Sequence, residues 1–105
     1  MANRRILIAA NWKMNGDIAL LDSMLYALKE AELSSNVDAL ICPPLTLLSG
    51  FDSDGIAKGI VSKGAQNVSQ FDSGAYTGET SVGMLSDVGC EYVLVGAFRT
   101  TRNLR

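Results

Sequence analysis

The 105-residue chain contains no histidine, and so lacks the side chain whose unperturbed pKa lies nearest neutral pH. Any proton chemistry must come from other groups or be missing. Cysteine is limited to Cys42 and Cys90, which sit in apolar, strand-like contexts with neither CxxC nor metal-ligand spacing. Pairing between them is open in principle, but both read as buried free thiols, and no metal site is expected. No apolar run approaches the roughly 18 residues that span a bilayer. Arg4-Arg5 precedes too short an apolar run, in too polar a sequence, for a secretory signal. The expected compartment is the cytoplasm, with no membrane partner. A net charge of −2 and an isoelectric point near 4.9 give no general attraction to nucleic acid or anionic lipid. Arg99, Arg102 and Arg105 form a basic tip that reads as a solvated tail.

What is present is material for one core: 48% of residues are hydrophobic and 19% charged, the composition of a single globular domain. Ile6 to Ala10 are apolar on both faces, as in a parallel strand covered on two sides. That run ends abruptly in Asn11-Trp12-Lys13-Met14-Asn15-Gly16, which puts amides and an ammonium where a strand stops. Strand ends of this kind carry function in α/β folds, so Lys13 is a candidate partner for an anion or a carbonyl. If the chain stays extended, Asn11 and Lys13, two apart, point to the same side. The plainer alternative is a solvated loop lysine beside an asparagine that merely ends the strand.

Asp17 is placed to cap a helix running through Lys29, with a buried stripe of Ile18, Leu21, Met24 or Leu25, and Leu28. Val37 to Cys42 form a second apolar run, stopped by Pro43-Pro44. Leu45 to Phe51 suit a short helix, Asp52 to Gly55 a turn, and Ile60 to Ala65 a third strand. Gln66 and Asn67 again put amides at a strand end. Ser69 to Glu79 has no apolar periodicity and reads as a long loop with a task. Thr80 or Ser81 caps a helix through Asp87, Gly89 suits its C-terminus, and Tyr92 to Gly96 is a fourth strand. Strands alternating with helices argue for an α/β fold with right-handed crossovers, either an open sheet or part of a barrel. No GxGxxG or GxxxxGK[ST] loop follows the first strand, which disfavours a small nucleotide or phosphate binder.

Four segments carry a resemblance. Asn11-Trp12-Lys13-Met14-Asn15-Gly16, Cys42-Pro43-Pro44, Gly64-Ala65-Gln66-Asn67-Val68-Ser69 and Gly74-Ala75-Tyr76-Thr77-Gly78-Glu79, in this order and spacing, resemble the triosephosphate isomerase family. The resemblance runs from about Arg5 to Gly96. It implies the N-terminal portion of an eight-stranded (β/α)8 TIM barrel, about four parallel strands with intervening helices. Such a barrel takes about 250 residues, so the expected division is a partial barrel over 1–96 and a divergent tail over 97–105.

The resemblance further implies an isomerase that interconverts dihydroxyacetone phosphate and glyceraldehyde 3-phosphate through an enediolate, in glycolysis and gluconeogenesis. A triose phosphate is the implied substrate, and no cofactor is implied. Asn11 and Lys13 match the family's substrate-binding pair, with Lys13 acting electrostatically. Thr77 matches the residue that crosses a homodimer interface to brace the partner's site, with Gln66, Tyr76 and Glu79 around it.

The pattern then breaks. Where the family reads Gly-His-Ser-Glu-Arg-Arg, this chain reads Gly96-Ala97-Phe98-Arg99-Thr100-Thr101. Ala97 takes the position of the electrophilic histidine and Arg99 that of a glutamate. A one-base shift accounts for the change: CAT TCC GAA CGA CG, read with an extra G in front, becomes GCA TTC CGA ACG ACG, which encodes Ala-Phe-Arg-Thr-Thr. The family's glutamate base and mobile lid have no match either. The chain as given is expected to be inactive and, with its first and fourth strands as open edges, poorly soluble, molten or self-associating. The alternative function is a non-catalytic fragment that binds an intact isomerase subunit through the 74–79 loop.

Overall fold

The structure, a computed structural model, describes residues 4–52 and 59–95. Four parallel strands lie in the order β1-β2-β3-β4: β1 Ile6–Asn11, β2 Val37–Cys42, β3 Val61–Ala65 and β4 Tyr92–Val93. Helix α1, Ile18–Ala31, joins the first two. A 3-10 helix, Leu45–Asp52, leads from β2 toward β3, and α2, Val82–Asp87, lies between β3 and β4. The sheet curls into a half-barrel with helices between its strands, as expected for the N-terminal part of a TIM barrel.

The helices start where polar side chains satisfy orphan backbone donors. Asp17 Oδ1 accepts from the Leu20 N–H at 2.8 Å, and Ser81 Oγ accepts from Met84 N–H at 3.1 Å; of the two caps considered for α2, Ser81 is the one used. Helix α1 runs two residues past Lys29 and ends on Glu32 in a left-handed conformation, φ 52°.

Parallel register places Ala39 beside Val61 and Ile41 beside Lys63. These residues face the helices, where Leu21, Leu25, Ala39, Ile41, Leu47, Phe51 and Val61 form the main core. A second cluster, Leu48, Ala65 and Leu85, packs under α2. Leu40 and Cys42 project from the other face of β2 and are also buried. There the strands approach so closely that a Cβ on Gly64 would lie 2.6 Å from Cys42 Sγ and 2.9 Å from Leu40 Cδ1. Gly64 is small because two neighbouring side chains cross over it.

Several expectations need correction. The α1 stripe is narrower than its periodicity suggests: Leu21 is buried, Leu25 is covered where Met24 or Leu25 was expected, and Leu28 is partly buried, while Ile18 stays exposed. The helix leans on the 3-10 segment, so its buried line falls along Leu21 and Leu25. Strand β1 is not covered on both faces; Ile6, Leu7 and Ile8 are 48–57% exposed because β1 pairs on one side only, with β2. Cys42 is buried, but Cys90 is only partly so, because it lies in the turn between α2 and β4. Strand β4 is shorter than Tyr92 to Gly96, although Glu91 N–H and Leu94 N–H still bond β3 carbonyls at 2.9 and 2.8 Å. The turn expected at Asp52 to Gly55 mostly lies outside the described residues, as do Gly96, Ala97 and Arg99.

Candidate functional site at the carboxyl ends of the strands

The polar cluster builds outward from the last residue of β1. Asn11 stands beside Cys42, the last residue of β2, and Trp12 N–H bonds the Cys42 carbonyl at 3.0 Å. The chain then turns instead of continuing extended. Lys13 adopts φ +56°, so the extended conformation that the two-residue argument for Asn11 and Lys13 assumed does not hold there. The cause is local: Asn11 Oδ1 accepts the Lys13 N–H at 2.9 Å, an asparagine turn that closes two residues on. Asn15 Nδ2 braces the other flank by donating to the Trp12 carbonyl at 2.9 Å.

A left-handed lysine costs about 1–3 kcal/mol unless its surroundings enforce it. Here a third strand contributes. Gln66, just after β3, donates its amide nitrogen to the Lys13 carbonyl at 2.8 Å and to the Cys42 carbonyl at 2.9 Å. Both partners are acceptors, so the amide must turn its NH2 toward them. The ends of β1, β2 and β3 are thereby tied at one point. The Lys13 side chain is exposed, a compact cation with three donors open to an anionic or carbonyl oxygen.

The other predicted site residues divide. Gln66 and Glu79 both line a cavity of about 200 Å³ between the 3-10 helix and the 69–79 loop; Asn11 and Lys13 do not line it. Tyr76 and Thr77 are exposed farther out on that loop. The loop is ordered by its own contacts. Phe71 and Tyr76 stack at 4.4 Å between ring centres, within 4° of parallel. Ser69 N–H bonds the Thr80 carbonyl at 2.8 Å, closing the base.

Lys63 escaped the sequence reading. Its side chain is buried under α2, where the ammonium donates to the Val88 carbonyl at 2.6 Å and lies 5.5 Å from the centre of the Phe51 ring. The signal was there, a lysine inside an apolar strand, yet nothing in sequence told whether it would be buried. Burial raises the thiol pKa of Cys42, and the nearby Cys90 adds to the effect. Burial likewise raises that of Cys90, partly offset by the Lys63 charge. Neither thiol is a ready nucleophile at neutral pH. Among the described residues, no three His, Cys, Asp or Glu side chains cluster to hold a metal ion, and no helix is long and apolar enough to cross a membrane.

Comparison with known proteins settles the family. The model for "Triosephosphate isomerase" matches residues 6–98. The chain belongs to the triosephosphate isomerase family. A triosephosphate isomerase of Colwellia psychrerythraea is 48% identical over 96 residues, covering 89% of this chain and 38% of the relative. That of Halorhodospira halophila is 47% identical over 93 residues, covering 89% and 36%, and that of Alkalilimnicola ehrlichii 43% over 93 residues, covering 89% and 37%. The chain thus spans little more than a third of the triosephosphate isomerases it matches.

Proposed function

We propose that this chain carries the N-terminal share of a triosephosphate isomerase site, the site that interconverts dihydroxyacetone phosphate and glyceraldehyde 3-phosphate in glycolysis and gluconeogenesis. The observation that carries the reading is the Lys13 turn. A strained lysine is held at the shared carboxyl end of three parallel strands by side chains from two of them, in a chain of this family. In that reading Lys13 supplies fixed positive charge toward the substrate's phosphate and polarised oxygen, Asn11 binds beside it, and the working site is a cytoplasmic homodimer braced by Thr77 with Gln66, Tyr76 and Glu79 nearby. Ala97 stands where the family's histidine would, and without that electrophile and a glutamate base the polypeptide is inactive; loss of a general base alone costs at least about 10²–10⁴-fold. Residues 97–105 are a tail produced by a one-base shift of reading frame, in the gene or in its determination.

Reading the encoding DNA across the codons for Leu94 to Arg105 and several hundred bases beyond tests this. Removal of one base near codon 97 should restore His-Ser-Glu-Arg-Arg and an open frame, and the restored product should interconvert the two triose phosphates and lose that activity in Lys13→Ala. A restored product without isomerase activity contradicts the functional reading. If no one-base change near codon 97 restores an open frame encoding His-Ser-Glu-Arg-Arg, the frame-shift reading is contradicted and the second one is favoured, a non-catalytic fragment that docks on an intact isomerase subunit. The exposed 69–79 loop, ordered by the Phe71–Tyr76 stack, favours that alternative. Mass measurement after mixing with the whole enzyme would detect it, and substitution of Thr77 should weaken it.

A further inference from the structure

We infer that Gln66 is a positioning residue for Lys13, one whose amide holds the left-handed turn that presents the lysine charge. This rests on the proposed role of Lys13 only for its use; the geometry stands apart from it. Three side-chain bonds bear on the turn. The Asn11 side chain accepts from the Lys13 N–H, the Asn15 side chain donates to the Trp12 carbonyl, and the Gln66 side chain donates to the Lys13 carbonyl. The first two are made within the same short segment and move with it. Among the described residues, the backbone bond from Trp12 N–H to the Cys42 carbonyl anchors the residue before the turn, and of the three side-chain bonds the third alone comes from elsewhere in the fold, 53 residues along the chain.

Gln66 is itself fixed by its second bond, to the Cys42 carbonyl at the end of β2, and by its place directly after β3. Trp12 N–H ties the segment to β2, and the Lys13 carbonyl itself is referred to the sheet through the Gln66 side chain. A lysine at positive φ is disfavoured in an isolated peptide, and the asparagine turn that accompanies it is exposed to solvent. A bond from a fixed donor to the Lys13 carbonyl stabilises the peptide plane that follows the strained residue. Without it the segment samples extended conformations, and the Lys13 side chain departs from the backbone in a different direction relative to Asn11. In this role Gln66 acts on its own chain, whatever it contributes to a subunit interface.

Gln66→Met tests the assignment, since it keeps roughly the side chain's volume while removing both donors. The readouts are the Lys13 Cα and Cβ chemical shifts of the isotopically labelled 105-residue chain, which report positive φ, and a titration with sulfate as the anion probe. The wild type should give the left-handed shifts. Gln66→Met should move them toward averaged values and weaken sulfate binding at Lys13 about five- to ten-fold, the scale of one lost net hydrogen bond. Leu85→Ala, which empties part of the α2 core without touching the turn, should lower the melting temperature and leave the Lys13 shifts in place.

The inference is overturned if the wild type lacks left-handed shifts, if Gln66→Met retains them, or if Leu85→Ala moves them as far. Left-handed shifts that depend on Gln66 in a chain that does not bind sulfate uphold the positioning role and count against the phosphate role of Lys13 instead.

Discussion

Gly64→Ala is the sharpest probe of how the strands deliver the site. The added Cβ would sit 2.6 Å from Cys42 Sγ and 2.9 Å from Leu40 Cδ1, against comfortable heavy-atom separations of roughly 3.5–4.0 Å. One or both side chains must therefore retreat by about 1 Å. Cys42 has little room, being 1% exposed and followed by Pro43-Pro44 in a fixed backbone. Overpacking of this kind costs about 1–3 kcal/mol, and the middle of that range fits a clash with side-chain ends rather than backbone. If the clash with Cys42 is the cause, shrinking Cys42 relieves it. In a double-mutant cycle, Cys42→Ala should cost about 1 kcal/mol alone, and combined with Gly64→Ala the pair should be at least about 1 kcal/mol more stable than the sum of the two losses. Urea unfolding followed by circular dichroism reads all four variants. Additive losses, or a Gly64→Ala chain as stable as wild type, would refute the close approach of β2 and β3 that sets Gln66 against the Cys42 carbonyl.

Asp17→Ala should lower stability by about 0.5–2 kcal/mol by releasing the Leu20 N–H, measured by thermal melting; no change would mean that the cap is not formed in solution. The Asp38 carboxyl is held below its ordinary range, chiefly by the hydrogen bond from Arg5 and further by the Arg5 charge. Its contribution is complete above the unfolded value of about 3.9 and lost as pH falls through the lower folded value, so Asp38→Asn should flatten the stability–pH curve below pH 4. A thiol reagent at neutral pH should label Cys90 slowly and Cys42 more slowly still, with both becoming fast in urea; a fast native Cys42 would contradict its burial. The exposed Ile6, Leu7 and Ile8 along the β1 edge and Val95 beyond β4 should make the folded 105-residue polypeptide self-associate as its concentration rises, read by analytical ultracentrifugation; a chain that stays monomeric across the concentration range would contradict this.

The elements most legible in the sequence were those set by local chemistry. Asp17 declared the start of α1, Thr80 or Ser81 that of α2, Pro43-Pro44 the end of β2, and runs such as Val37 to Cys42 the parallel strands. What depended on contacts between distant segments was not legible. Whether Lys63 is buried is decided by α2 lying over it, and whether Leu21 rather than Ile18 is covered depends on the angle at which α1 meets the 3-10 helix. The site divides in the same way. Asn11 and Lys13 stood out because polar groups follow an apolar strand, but the left-handed turn at Lys13 was missed because two-residue periodicity assumes an extended chain. The bond from Gln66 joins positions 53 residues apart, and no spacing rule reaches that far.

Turnover is the most direct test of the proposal that this chain of an isomerase family carries only part of the site. Dihydroxyacetone phosphate incubated with the purified 105-residue polypeptide in D2O, and followed by proton NMR, reports both deuterium exchange at the reacting carbon and formation of glyceraldehyde 3-phosphate. The predicted result is neither process above the rate without protein. Conversion above that rate, abolished by Lys13→Ala, would mean that the residues present complete the chemistry and would contradict the claim that they do not.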